Sequence, residues 1–504
     1  MAVLSEGTHA TPTQGERPLR GTDPEEAGPR RSVRHSGRSW RPRASVPARL
    51  RQGTALCLLL TVVLGLLGLS VAVGAQSTWT AVGSQQAPQV LDATGLYQAL
   101  TDLDAQSANL IMFGADPALA ANRADALKAF SADRTAADRD LQQATLAAAG
   151  SPSVQRALAD VLDGMGRYQD LDGRALALND AGHRPAGQPS PDALTDYRQA
   201  TDLMRGTLLP AADRLVTANN DAYNRSYDAE RSALGTGLWW LLTLGAALLA
   251  ALIGLQVWLS ARFRRRVNPA LAAATLLAVL FLALAGSLCT SQREDLRAAR
   301  RDAFDSVVAL SRARADAYDA NADESRYLLD SGRAAQYQDA FETESQLIAA
   351  LPGTSLPDYD ARLADAVTAY HGNHGDIRFG GFLGAEFHNV TFPGERAAAE
   401  RTLAAYQLYE RDDRTIRALA GRGRLHDAIA YGTSYAPGAS NAAFAAQDTA
   451  LQQVISINTT AFDHSIDQAR GELSTRVPLL AAAAALILLL CLLGVRPRLA
   501  EFRR

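Results

Sequence analysis

Five polar residues break otherwise apolar helical stripes: Ser107, Thr201, Asp413, Asp448 and Asn458. A hydroxyl, carboxamide or carboxylate on such a seam has two uses. It can line a ligand cavity between helices, or it can set the register of a bundle, as one polar residue does in a coiled-coil core. Register setting is the expectation. A second group combines imidazole and carboxylate: His371, His374 and His388 beside Asp376 and Glu386. These side chains ligate metals, but the spacing is not that of a zinc site and glycines surround them, so they read as a solvated loop. A third group is cationic: Arg262, Arg264, Arg265 and Arg266 suit anionic lipid headgroups or an acidic partner, with a topology signal as the plainer reading. No P-loop, Rossmann glycine pattern, kinase signature or HExxH motif occurs. Neither catalysis nor a metal or cofactor is expected.

The elements that must position these groups begin with four apolar runs. Each is long enough for a bilayer core of about 30 Å at about 1.5 Å per helical residue. They cover residues 54–75, 237–259, 268–290 and 477–495. None contains an acid or base, which removes the usual hardware of ion-coupled transport. Cys57, Cys289 and Cys491 all lie in or at the edge of these runs, so no disulfide framework or cysteine metal site is expected between them. Trp239 and Trp240 at one end of the second run and Trp258 at the other fit interfacial aromatic belts. The first run is read as an uncleaved anchor, although Val73-Gly74-Ala75 offers small residues of the kind signal peptidase prefers.

Arginine placement orients the runs. Eight arginines and no acid lie between residues 27 and 53, four arginines fall in 260–267, and four more in 496–504. All three segments belong on one side of a four-span chain, which the positive-inside rule places in the cytoplasm. The plasma membrane, with both termini inside, is the expected location. Residues 1–53, rich in Pro, Gly, Ser and Arg, read as a disordered cytoplasmic tail. Residues 260–267 form a basic hinge and 496–504 a short basic tail. The two large outer regions carry net charges of −7 (residues 76–236) and −8 (residues 290–476).

Both outer regions have helical periodicity. Leu96, Leu100, Leu103, Ser107, Leu110 and Gly114 follow a 4-3 spacing. Asp116-Pro117, Ser151-Pro152 and Ser190-Pro191 are N-cap and first-turn pairs that open three further helices. The last runs through Tyr197, Thr201, Met204 and Leu208 into the second span, with a kink expected near Pro210. The second region, 291–476, reads as a variant of the same plan. A charged helix spans 293–331, another begins at Arg333, a third carries Leu403, Tyr406, Asp413 and Ile416, and the last has a seam through Asp448, Leu451, Asn458 and Phe462. Residues 352–393 read as an irregular insert near the membrane-distal end. The expected fold is therefore an all-α membrane protein with four transmembrane helices and two extracytoplasmic antiparallel four-helix bundles.

The arrangement resembles the actinobacterial GlnX-type membrane proteins and, more broadly, the four-helix-bundle sensor domains of chemoreceptors and histidine kinases. The first region carries the likeness in Leu96-Tyr97-Gln98-Ala99-Leu100 with Asp102 and Asp104, and in Tyr168, Ala175 and Asn179. Tyr197-Arg198-Gln199-Ala200, Leu203-Met204-Arg205 and Leu208-Leu209-Pro210-Ala211-Ala212 continue it. The second region contributes Tyr406, Tyr409, Asp413, Ile416 and Arg417, then Gly423 and Ala428. The insert and the long arginine-rich tail depart from that pattern. The resemblance implies a relay in which a solute-binding lipoprotein, loaded with an amino acid such as glutamate or glutamine, docks outside and a soluble Ser/Thr kinase is controlled inside. The partners this reading admits are the membrane, those two proteins and a second copy of the chain, with no nucleic acid. The competing reading is a membrane subunit of a transporter or an envelope-assembly complex.

Overall fold

A computed structural model describes residues 46–147, 152–263 and 268–500. Residues 50–504 form one compact unit, whose described residues form helices joined by turns and no strand. Four of its helices are long and apolar enough to cross a membrane. Between 22% and 33% of each apolar window is buried, so most of its surface faces outward. Leu59, Leu66, Trp239, Val257, Leu276 and Leu280 are among the side chains on that surface. Such a belt is stable in lipid and not in water, which points to a multi-pass membrane protein.

Each span continues directly into the head beyond it. The first passes from α1 (Val46–Ala81) through a π-helical turn at Val82–Gln86 into α2 (Ala87–Phe113). After a 3-10 turn at Pro117–Leu119 come α3 (Ala120–Ala147) and α4 (Pro152–Gly182). The second span is reached through α5 (Pro191–Leu203), a π turn at Met204–Leu208 and α6 (Leu209–Phe263). The third begins α7 (Pro269–Arg297), which passes through a π turn at Ala298–Phe304 into α8 (Asp305–Leu329). Then come α9 (Ala334–Ile348), α10 (Leu356–Gly372), α11 (Gly381–Asn389), α12 (Glu395–Gly421) and α13 (Leu425–Thr433). The chain closes with α14 (Ser440–Ala500), which carries the fourth span. The uninterrupted lengths are 58 to 71 residues, or roughly 90–105 Å at about 1.5 Å per residue.

Side-chain caps open two of the helices, and prolines adjoin two of the wide turns. Asp116 accepts a hydrogen bond from Ala118 N at 2.9 Å and Ser190 one from Ala193 N at 3.2 Å. Each is an N-cap followed by proline at a position that needs no N–H. Pro88 and Pro210 lie just after the π turns of the first and second long helices. A proline inside a helix lacks the donor for the carbonyl four residues back and crowds it, and a wider turn accommodates both defects. At Pro210 the expected kink is thus a π turn. The π turn at Ala298–Phe304 contains no proline.

Each outer region has an apolar cluster of its own, one within residues 93–216 and one within 310–454, and a third cluster joins the two. α2 packs extensively against α3 and also against α8 of the second region. One apolar cluster combines Leu110, Ile111, Phe113 and Tyr197 with Leu328, Leu329, Ile416 and Ile429. Helix α2 is buried nearly all round, including Asp104, Ser107 and Asn109. The charged stretch of α8 is buried as well, from Asp319 to Arg326. The alanines that flank these charges, Ala313, Ala317, Ala320 and Ala322, allow close helix approach.

The region 352–393 is more ordered than its composition suggests. It forms α10 and α11, whose Tyr359, Leu363, Tyr370, Leu383 and Phe387 belong to a packed core. Its position also differs from the membrane-distal end expected. Asn389 donates to Arg301 O and Asp302 O at 3.3 Å and to Ser306 Oγ at 2.9 Å, just past the third span, and Phe392 packs against the cluster that contains the spans. Aromatic side chains anchor the segment, a signal that its glycines obscure.

Where the spans enter the head, polar bonds tie the four long helices together. Trp79 Nε1 donates to Gln292 Oε1 at 2.8 Å, and Arg470 Nη2 to Trp79 O at 2.9 Å. Thr78 donates to Glu230 at 2.9 Å and Ser291 to Glu472 at 2.5 Å.

Candidate functional site

At the centre of the head lies a buried guanidinium, Arg326, with no exposed surface. One end of it binds Asp104 of α2, and the other binds Asp319 at 3.1 Å and Asp323 at 2.5 Å on its own helix α8. Residues 319, 323 and 326 follow helical spacing and share a face, so the acids and the arginine meet without backbone distortion. Arg205 enters from the π turn of the second long helix. It reaches Asp323 at 2.9 Å and Glu344 of α9 at 3.5 Å. Asp104 also accepts the Tyr168 hydroxyl at 2.9 Å, and Ser107 donates to Asp172 beside it. Charges from both regions of the chain therefore meet in one network, extended by Arg198 with Asp330 and Arg333 with Asp202.

The network holds more acid than base: Asp104, Asp319, Asp323 and Glu344 face Arg205 and Arg326. Its electrostatics follow from that surplus. Burial alone would raise Asp319, but the two guanidiniums overcome it and hold the carboxyl below its ordinary range. For Asp104 and Asp323 burial outweighs the same arginines, and both are pushed up. Burial, then the neighbouring Asp319 and Asp323, drives Glu344 well above the usual glutamate range. Asp172 is raised by burial to about 7, against the opposing Ser107 hydrogen bond.

A second buried group adjoins on α8 and α12. Asp413 pairs with Arg417 at 2.8 Å, and Glu410 accepts from Ser345 at 2.9 Å. Burial lifts Glu410 to about 8 and, with Asp413 beside it, carries Glu324 well above its ordinary value.

Oxygens of Asp319, Asp323 and Glu344 lie within 4.8 Å of one another, a spacing that could hold a cation. Arg205 and Arg326 already sit against these carboxylates, so the positive charge is supplied by the chain. The histidines go elsewhere. His374 faces Glu400 at 3.6 Å, His388 Nδ1 meets Gly384 O at 2.7 Å, and Asp376 pairs with Arg378.

The five polar seam residues are placed as follows. Ser107 and Thr201 are buried in the first region, Ser107 within the Arg326 network. Asp413 lies in the second buried group. Asp448 pairs with Arg314, one of its bonds being 3.0 Å. Asn458 donates to Glu395 at 2.6 Å. The structure thus brings Ser107 into one site, Asp413 into its neighbour, and leaves Asp448 and Asn458 in separate pairs. Arg262 falls in the last turn of α6, while Arg264, Arg265 and Arg266 lie outside the described residues. Seam reading missed Asp104, Arg326, Asp323 and Glu344, because charges in a charged helix carry no mark of burial. The detectable signal was the alanine background of α8.

A half-open groove of about 1070 Å³ lies between α2, α4 and α6, lined by Gln85, Gln89, Arg156, Asp213 and Arg225 among others. Its amides and mixed charges suit a polar solute.

Residues 78–228 match the family described as the actinobacterial sensor domain. The matched stretch contains Asp104, Ser107, Tyr168, Asp172 and Arg205. No curated protein and no solved structure matches the chain. The match supports a sensor protein and a sensing role for this region.

Proposed function

We propose that this protein is a non-catalytic transmembrane relay that senses a solute, or a protein carrying one, outside the cell and passes a helix displacement to the cytoplasmic face. One observation carries the reading. All four long helices run unbroken from span to head, and three of them meet in the buried charge network through Asp104, Arg205 and Arg326. Such a network has few satisfied arrangements, so it shifts between discrete packings more readily than it deforms. The arginine-rich segments favour a cytoplasmic location for residues 260–267 and both termini. The groove between α2, α4 and α6 is the candidate point of entry for a solute, and a lipoprotein and a Ser/Thr kinase are the candidate partners on the two sides.

The test uses the full chain in lipid nanodiscs, spin-labelled at Ser260 and Arg496 near the ends of α6 and α14. Arg205→Met, which weakens the bridge between the regions, should shift the distance distribution between the labels. An unchanged distribution in a folded Arg205→Met variant would remove the mechanical relay. Crosslinking in native membranes from Gln85 then asks whether a solute-binding protein occupies the groove. Recovery of a transport ATPase as the specific partner would favour a transporter subunit instead.

A further inference from the structure

One buried acid has no role in the relay as described. Glu386 of α11 is 3% exposed, and Glu395, the first residue of α12, is 0% exposed. Their carboxyl groups lie against each other beside the Ser306 hydroxyl of α8. Glu395 already accepts three hydrogen bonds, and its Oε1 keeps room for one more. One oxygen takes Asn458 Nδ2 of α14 at 2.6 Å, and the other takes Thr391 N at 2.6 Å and Phe392 N at 2.8 Å. It also sits at a helix N-terminus, where negative charge is favoured. Glu386 has the opposite surroundings. It lies toward the C-terminal end of α11, and neither of its oxygens meets a hydrogen-bond donor in bonding geometry among the described residues.

No described cation pairs with either carboxyl. Most of the charged groups nearest Glu386 have partners of their own, and the Arg301 charge acts on Asp305 and not on Glu386. On the third long helix, Asp305 pairs with Arg300 and Asp302 faces Arg297. On α9, Glu344 faces Arg205. On α12, Glu400 accepts from Tyr370, to which Arg396 donates. Tyr370 of α10 meets Phe387 edge to face, and His388 Nδ1 lies against Gly384 O. Two buried carboxyls in contact, without a cation, resist being ionised together, so one holds its proton well past the ordinary carboxylate range. Glu395 has three donors and Glu386 has the Ser306 hydroxyl alone beside it, outside bonding geometry, so the hydrogen belongs on Glu386.

We propose that Glu386 and Glu395 hold one proton between them, and that this proton clamps α11 to α8, α12 and α14, so that its release frees the insert from the helices leading to the third and fourth spans. The ligand is the hydrogen ion itself, and the pair makes the head responsive to pH. With the proton present, the Glu386 O–H donates to the Glu395 carboxylate. Without it, two negative charges face each other at the place where Asn389 and Phe392 fasten the insert to the third long helix and the span core. Burial, and the charge of Glu395 next, raise the Glu386 carboxyl above its ordinary range, which is consistent with this assignment. The consequence for signalling rests on the relay reading, while the shared proton stands without it.

The experiment is infrared difference spectroscopy of the full chain in nanodiscs, titrated from mildly acidic to alkaline pH. Spin labels at the exposed Ala385 on α11 and Thr460 on α14 report the gap between those helices. The native protein should lose a protonated-carboxyl band as pH rises, and the label distance should lengthen with the same midpoint. Glu386→Gln keeps a neutral donor of similar shape and should abolish both that band component and the lengthening. Because Glu410, Asp172, Glu324 and Glu344 also hold protons in this range, the readout is the native-minus-Glu386→Gln difference, and if that difference contains no lost band the proton belongs elsewhere and the proposal fails. If the native band titrates with no change in distance, the clamp fails. Labels at Ser260 and Arg496 separate the two ideas: movement of α11 without movement at those ends upholds the clamp and counts against the relay.

Discussion

Replacing Arg326 by methionine removes the one guanidinium that joins α2 directly to the acids of α8. The side chain has no exposed surface, and Asp104 and Asp323 on either side of it are 1% and 0% exposed. Methionine fills much of the volume but leaves buried carboxylates uncompensated, a defect that costs about 3–5 kcal/mol when one partner of a buried pair is lost. Proton uptake by those acids would relieve part of it, so the lower end of that range applies near neutral pH. At about 1.4 kcal/mol per tenfold, 3 kcal/mol is roughly a hundredfold increase in local opening. The assay is hydrogen exchange by mass spectrometry on the full chain in nanodiscs, comparing peptides from α2 and α8 with peptides from α10. Exchange should accelerate about a hundredfold in both α2 and α8 and stay near native in α10. Adding Asp104→Asn to Arg326→Met should restore part of the protection, because a carboxamide needs no counter-charge. Native exchange in α2 with loss confined to α8 would show that Arg326 does not join the two regions, and the central argument would be refuted.

Three further outcomes are expected. Glu410, raised to about 8 from 4.5 by burial, binds its proton more tightly folded than unfolded; its stabilisation is full below about 4.5 and is lost as pH rises through about 8. Thermal denaturation of the full chain should therefore give a lower midpoint on the alkaline side, and Glu410→Gln should flatten that slope; a midpoint rising over this range would contradict the assignment. Gln292→Leu leaves the buried Trp79 N–H without its acceptor, costing about 1–3 kcal/mol, and the Trp79 emission spectrum and the crosslinking of α1 to α7 should both change. Ser190→Ala removes the cap of α5 for about 1 kcal/mol, with faster exchange limited to the first turn near Ala193.

The legibility of the chain follows the range of the interactions involved. Spans, helix starts and the all-α class are written locally. Twenty uncharged apolar residues need no partner to be recognised, and Asp116-Pro117 and Ser190-Pro191 satisfy their own helix ends. Pro210 marks a local irregularity in the same way, but proline alone does not fix the turn, since Pro478 lies within α14 without one and the turn at Ala298–Phe304 contains none. Burial of charge is different. Asp319, Asp323 and Arg326 look like a solvated helix face until Asp104 and Arg205, far away in sequence, are brought against them. The same holds for Glu386, whose glycine-rich surroundings suggest an open loop. Its protonation depends on Glu395 and Asn458 from two other helices. The sequence by itself determined the long helices and which of them are apolar enough to cross a membrane, but not α10 and α11. Only the tertiary structure decided that the two regions, each with a core of its own, are joined by a shared cluster and a buried charge network, and which acids lack a counter-charge, because charge compensation belongs to a pair of surfaces and not to a stretch of chain.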